Sequence, residues 1–237
     1  MATGLAPAPA DQTRITGVVL DNSNQPLQGV TMRLLQINQG NRSNLPQQVA
    51  NPVVTDAQGQ FTMTGVPVGV FKLMADGGTT QRPGSWPTLE FDMVTVSGQN
   101  NTVGMPIFLP ELLPQNRLCV SENTGGTLTV PEVPGFALTI KPGSATFPGG
   151  ARAGCVSVTP VHMDKSPMSP GFGQQPRFLV TIQPVGTHFN PPAQMTMPNV
   201  DGLLPGMVTE MYSYDHDLAS FVSIGSATVS RDGSTIS

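Results

Sequence analysis

The sequence predicts an all-β protein with almost no helix, folded as two β-sandwich domains in tandem. Three observations carry that reading. The 237 residues include 24 prolines and 26 glycines, and both residue types interrupt helices. Short runs such as QFTMTGV at 60–66 recur between turn signals and alternate apolar with polar residues, the pattern of a half-buried strand. A chain of this length divides into domains of roughly 100–120 residues, and a proline-spaced stretch near its middle supplies the boundary. With 38% hydrophobic residues, both halves can form packed cores.

The N-terminal stretch MATGLAPAPADQT has no basic region and no long apolar run, so it is not a signal peptide. Residues 1–13 read as a flexible Ala/Pro leader, or as the start of an excised fragment. From Arg14 the chain is strand-like. RITGVVLD carries Ile15, Val18 and Leu20 as its apolar positions, and Gly17 marks a bulge or a close approach. The turn NSNQPLQG leads into a second strand, VTMRLLQI, and the polar run at 38–52 is suited to an exposed loop. Asp56–Gly59 forms a tight turn before strands at 60–66 and 69–76. Trp86, in RPGSWPTLEF, sits in a proline-bounded loop. It either stacks on a sugar or partner, or covers the open end of the sandwich. Pro106, Pro110 and Pro114 then make a stiff connector.

This half resembles the carboxypeptidase regulatory-like family, a transthyretin-like β-sandwich. The resemblance rests on Gly17-Val18-Val19, Asp21, Pro26-Leu27, Gly29-Val30, Thr55-Asp56, Gly59, Phe61, Gly65-Val66-Pro67, Gly69 and Phe71. It implies a small non-catalytic module over residues 14–110, of the kind appended to larger secreted or surface proteins, followed by the connector at 111–117. Gly59 and Gly69 suit positive-φ turns, and Phe61 and Phe71 are expected in one core.

The second domain, 118–237, opens with strands GTLTV, FALTI and CVSVTPV, broken by Pro-Gly and Gly-Gly turns. Phe136, Leu138 and Ile140, followed by Pro142-Gly143-Ser144-Ala145, resemble a ZU5-type β-sandwich. The later runs FLVTIQPVGTHFNPPAQMTMPN and MVTEMYSYDHDLASFVSIGSATVS look like the paired hairpins that close such a domain, and a further hairpin turns at Asp232-Gly233. The order of the two modules is similar to the segment that precedes Rhs/YD-repeat arrays in large bacterial surface proteins, although no YD repeat lies in this chain.

Cys119 and Cys155 lie in strand-like runs. Cross-strand pairing as a disulfide, in an oxidising compartment, is favoured over two separate buried thiols. No CxxC or Cys/His spacing points to zinc. The eleven Lys and Arg are scattered and the net charge is -4, which argues against a nucleic-acid partner. No apolar run approaches the roughly 20 residues needed to span a bilayer as a helix.

Candidate chemistry is sparse. His162 ends a strand, and no nucleophile elbow accompanies it. His188-Phe189 matches the pair after which some ZU5-type domains cleave themselves, but Asn190 stands where that reaction needs a hydroxyl. Self-cleavage is therefore not expected. The stretch MYSYDHDLASF sets Asp215, His216 and Asp217 side by side. It reads as a turn between two strands, with Asp215 and Asp217 as a weak calcium candidate beside Asp56, Asp76, Asp92, Asp201 and Asp232. No cofactor and no catalytic residue is assigned. The sequence thus points to a non-catalytic extracellular or cell-surface module, a stalk, spacer or plug within a larger bacterial surface protein. Its partners would be other domains of the same polypeptide or neighbouring subunits. The alternative is an adhesive or filament subunit that self-assembles by β-strand addition.

Overall fold

A computed structural model describes residues 12–36, 47–162, 165, 177–215 and 220–237. The protein is all-β, and among the described residues helix is confined to short 3₁₀ turns such as Gly77–Thr79 and Pro148–Gly150. The chain divides into two compact units between Glu111 and Leu112.

Among the described residues the first unit contains two sheets. In one, β1 (Arg14–Leu20) is flanked by antiparallel β5 (Gln60–Thr64) and parallel β8 (Asn100–Thr102), with β9 (Ile107–Phe108) also pairing to β1. The other runs β3 (Gln47–Gln48), β2 (Thr31–Gln36), β6 (Gly69–Asp76), β7 (Thr88–Thr95), with β4 (Val53–Val54) on β2. Alternation sends Phe61 and Met63 inward from β5, and Phe71, Leu73 and Ala75 inward from β6, all of them buried.

The buried positions of β1 are Ile15 and Val19, while Val18 and Leu20 are only half-buried. Gly17 lies between them on the same face, directly opposite Phe61, with no break in register. It is a close approach and not a bulge, since a β-carbon there would sit 2.8 Å from the Phe61 ring. Gly59 has φ +72°, and a β-carbon on it would meet the Val19 carbonyl oxygen at 2.3 Å, so both the turn and the close approach require glycine.

Thr13, the last residue of the leader range, is fully buried and accepts the Gly98 N–H on its hydroxyl at 2.8 Å; residues 1–11 lie outside the described residues. The stretch around Trp86 is shorter as a loop than the sequence implied, because β7 begins at Thr88. Ile107, Phe108 and Leu109 are buried in the first unit. Downstream, the Leu113 N–H bonds the Thr159 hydroxyl and the Val158 N–H bonds the Asn116 carbonyl, which fixes residues 113–116 to the second unit.

In the second unit, β10 (Arg117–Val120), β14 (Gly154–Pro160) and β15 (Val180–Gln183) form one sheet. β11 (Gly126–Thr129), β12 (Ala137–Ile140), β17 (Gln194–Pro198) and β20 (Thr235–Ile236) form a second, and β13 (Ala145–Thr146) pairs β16 (His188–Phe189). Val120, Leu128, Phe136, Leu138, Ile140, Val156 and Val158 meet in one core. The long hairpin of β18 (Val208–Asp215) and β19 (Ser220–Thr228) is a two-stranded ladder. At its base Thr228 exchanges backbone hydrogen bonds with Ser237 and Val229 bridges Ile236 of β20, and Met211 and Ala227 pack there with Val229, Ile236 and Leu203.

Candidate functional site

The acidic side chains that the sequence offers as cation ligands are dispersed, each with its own task. Asp56 Oδ1 accepts the Gln58 and Gln60 N–H groups at 2.9 and 2.8 Å and shapes the β4–β5 turn. Asp76 accepts the Thr88 hydroxyl at 3.2 Å, Lys72 pairs with Asp92 at 2.8 Å, and Arg177 faces Asp201 at 3.7 Å. Asp232 accepts from the Ser230 hydroxyl and from the N–H and hydroxyl of Ser234. Those bonds, the Ser230 hydroxyl first, hold its pKa at about 2 against an ordinary 3.8. Asp215 closes β18 by its backbone pairing with Ser220; its side chain, and all of His216 and Asp217, lie outside the described residues. Among the described residues no group of three or more His, Cys, Asp or Glu converges as a metal site.

The described histidines stand apart. His162 is exposed after β14, and its carbonyl accepts the Lys165 N–H at 3.1 Å. His188 is exposed on β16 opposite Thr146, while Phe189 beside it packs against the second core. The Asn190 N–H donates to the Ser144 carbonyl at 2.8 Å, which fixes the backbone at that point. Trp86 offers no open face for stacking: it is 7% exposed and donates its indole N–H to the Pro83 carbonyl at 3.3 Å.

Several side-chain arrangements were not readable from the sequence, and most of them include a partner distant in it. Arg82 lies 5.7 Å from the Trp86 ring centre and bonds Asp21 at 2.6 Å, while Asp21 also accepts the Ser23 and Gln25 N–H groups. This ties two loops of the first unit together. Arg152 bonds Glu122 and Thr146, each at 2.6 Å, and the Gly143 carbonyl. The Arg152 hydrogen bond, and then its charge, lower the Glu122 pKa. Asn199 donates to the Leu203 and Gly233 carbonyls and accepts the Leu203 N–H. The disulfide that the sequence favoured is present: Cys119 and Cys155 stand directly opposite each other on β10 and β14, both on the exposed face, and are joined.

Strand edges are the other prominent feature. β7 is the end strand of its sheet, and among the described residues its backbone bonds only to β6. Its outward residues are Thr88, Glu90, Asp92 and Val94. Val94 stands opposite Val70 on β6. With Val68 and Val96 they form an apolar patch, exposed by 55% at Val68, 69% at Val70, 61% at Val94 and 48% at Val96. In the second unit, the Tyr212 hydroxyl donates to Glu210 at 2.6 Å, which raises the Tyr212 pKa. Tyr214 and Phe221 meet edge-on across the hairpin, with ring centres 5.3 Å apart. Among the described residues no helix is long and apolar enough to cross a membrane.

No family model and no curated protein matches the chain. Among solved structures it is similar to a Streptococcal ancillary pilin, at 14% identity over 90% of this chain and 58% of that one, with a TM-score of 0.34. A 9R-lipoxygenase from Cyanothece PCC8801 matches at 16% identity over 57% of this chain and 22% of its own, with a TM-score of 0.26. The chain spans less than two thirds of either protein's length, and likeness this slight carries no inference about what it does.

Proposed function

We propose that the chain is a non-catalytic structural module, a stalk, spacer or plug within a larger bacterial surface protein, and that it works outside the cell. One observation carries this reading: its polar side chains are committed to holding loop backbone. Asp21, Asp56, Asp232, Asn199 and Arg152 each bond turn or loop backbone directly, or anchor a side chain that does. Such bonds stiffen the ends of a β-sandwich, where loops otherwise move most. The disulfide between β10 and β14 adds a covalent tie of the kind that persists in an oxidising compartment. The resemblance of the two halves to carboxypeptidase regulatory-like and ZU5-like modules supports the same reading. Its partners are then other domains of the same polypeptide or neighbouring subunits. Mechanical unfolding of single molecules tests the proposal, because a load-bearing spacer must resist extension as two folded bodies.

A further inference from the structure

We propose that the Cys119–Cys155 disulfide is a thiol-exchange site, attacked at Cys119 by a small anionic thiol that the neighbouring Arg117 draws in.

The strand pairing sets the two sulfurs in the open. Cys119 on β10 and Cys155 on β14 are directly opposed and both exposed, while Val120 and Val156 beside them are buried in the core. A thiolate can therefore reach the sulfurs without any unfolding. The Val158 N–H bonds the Asn116 carbonyl at 3.0 Å, and the Val161 N–H bonds the Leu179 carbonyl at 3.0 Å. Antiparallel bonding alternates along a strand, so even-numbered residues of β14 bond to β10 and odd-numbered ones to β15. Cys119 and Cys155 thus exchange no backbone bonds with each other. The Cys119 N–H and C=O point away from β14, past the end of the sheet, because β10 is its outer strand. Among the described residues no backbone group bonds them.

The same geometry selects the sulfur that is attacked. In thiol–disulfide exchange the incoming sulfur approaches one sulfur from the side opposite the other. Behind Cys119 the sheet ends. Behind Cys155 lies the flank of β14 along which β15 pairs, beginning at Ser157 with Gln183. Cys119 is the open sulfur. The incoming thiol gives its proton to solvent, and its sulfur bonds Cys119 Sγ as the Sγ–Sγ bond breaks. The electron pair of that bond stays on Cys155 Sγ as a thiolate, so no oxidant or reductant is needed.

Charge selects the thiol. Arg117 lies two residues before Cys119 on the same face of β10, about 7 Å along the strand, and stands opposite Ser157, diagonal to Cys155. It is exposed, and among the described residues no carboxylate lies within ion-pair distance of it. Glu122, beyond the end of β10, is already paired with Arg152 at 2.6 Å. The Arg117 guanidinium can therefore hold the acidic group of an incoming thiol and stabilise the negative charge that passes between the sulfurs. This site does not depend on the spacer reading, since exchange at Cys119 needs no load on the chain.

The test uses the full native chain, without denaturant, and two thiols of equal length, 2-mercaptoethanesulfonate and 2-mercaptoethanol. Short incubations are quenched with iodoacetamide, and the adducts are mapped by peptide mass spectrometry. The mixed disulfide is expected on Cys119, with Cys155 alkylated, in about fivefold excess over the reverse arrangement. With rates corrected for the ionised fraction of each thiol, the sulfonate is expected to react about threefold faster, the scale of one exposed charge pair. Arg117→Ala, an exposed substitution, should remove that preference and leave Cys119 as the point of attack. No adduct on the native chain, a first adduct on Cys155, equal rates for the two thiols, or a preference that survives Arg117→Ala would overturn the proposal.

Discussion

At the scale of single residues, the chain depends on positions where one atom more or less matters. Gly17 is one, because the Phe61 ring occupies the space a β-carbon would need. Gly17→Val should destabilise the first unit by about 1–3 kcal/mol, the usual cost of overpacking a filled core. Urea unfolding followed by Phe61-side amide signals checks this, and the second unit should be unaffected. Asp232 is another. Its carboxyl is held at about pH 2 by Ser230 and Ser234, so those bonds favour the folded turn at pH values above the ordinary 3.8. Their contribution is lost as the pH falls through that range toward 2. A carbon-detected titration should place the Asp232 midpoint near 2, with the Ser234 amide moving in step, and Asp232→Asn should remove that step. The turn at Asp232-Gly233 was legible because its chemistry is local. The bond from Arg82 to Asp21 was not, since it joins residues 61 apart.

At the scale of elements, the strands easiest to read were those with unbroken alternation, such as β5 and β6. In β1, Gly17 removes the middle member of the inward row, so the remaining apolar residues do not reveal that Ile15 and Val19 face the core. β7 carries a clear alternation of Leu89, Phe91 and Met93 with Thr88, Glu90 and Asp92, but Pro83 and Pro87 around Trp86 made the region look like a loop. The β18–β19 hairpin was visible in outline, while the pairing of its base with Ile236 and Ser237 was not, because sequence does not state which strand a hairpin joins. The cross-strand disulfide belongs to this scale as well. Cys119 and Cys155 are separated by 36 residues, and closing a loop of that size stabilises a domain by about 3–4 kcal/mol in the chain-entropy model. The variant with both Cys119→Ser and Cys155→Ser should lose about that much stability in the second unit, measured by guanidinium unfolding, with the first unit unchanged.

The whole molecule comprises two compact β units, and the proposed spacer role requires each of them to be rigid. The chain divides between Glu111 and Leu112. Ile107–Leu109, inside the range 14–110 read as the first domain, are buried in the first unit, and residues 113–116, read as connector, are bonded to the second unit. Prolines signal an interruption of regular structure, but not which side of it each neighbouring residue packs on. Force spectroscopy on single molecules tests the central claim most directly. Two unfolding events are predicted, one for each unit. The event of the second unit should lengthen on reduction, as the loop between Cys119 and Cys155 is released; 36 residues at about 3.5 Å each make that gain about 120–130 Å. Extension at low force without discrete events, or a single event unchanged by reductant, would contradict the account.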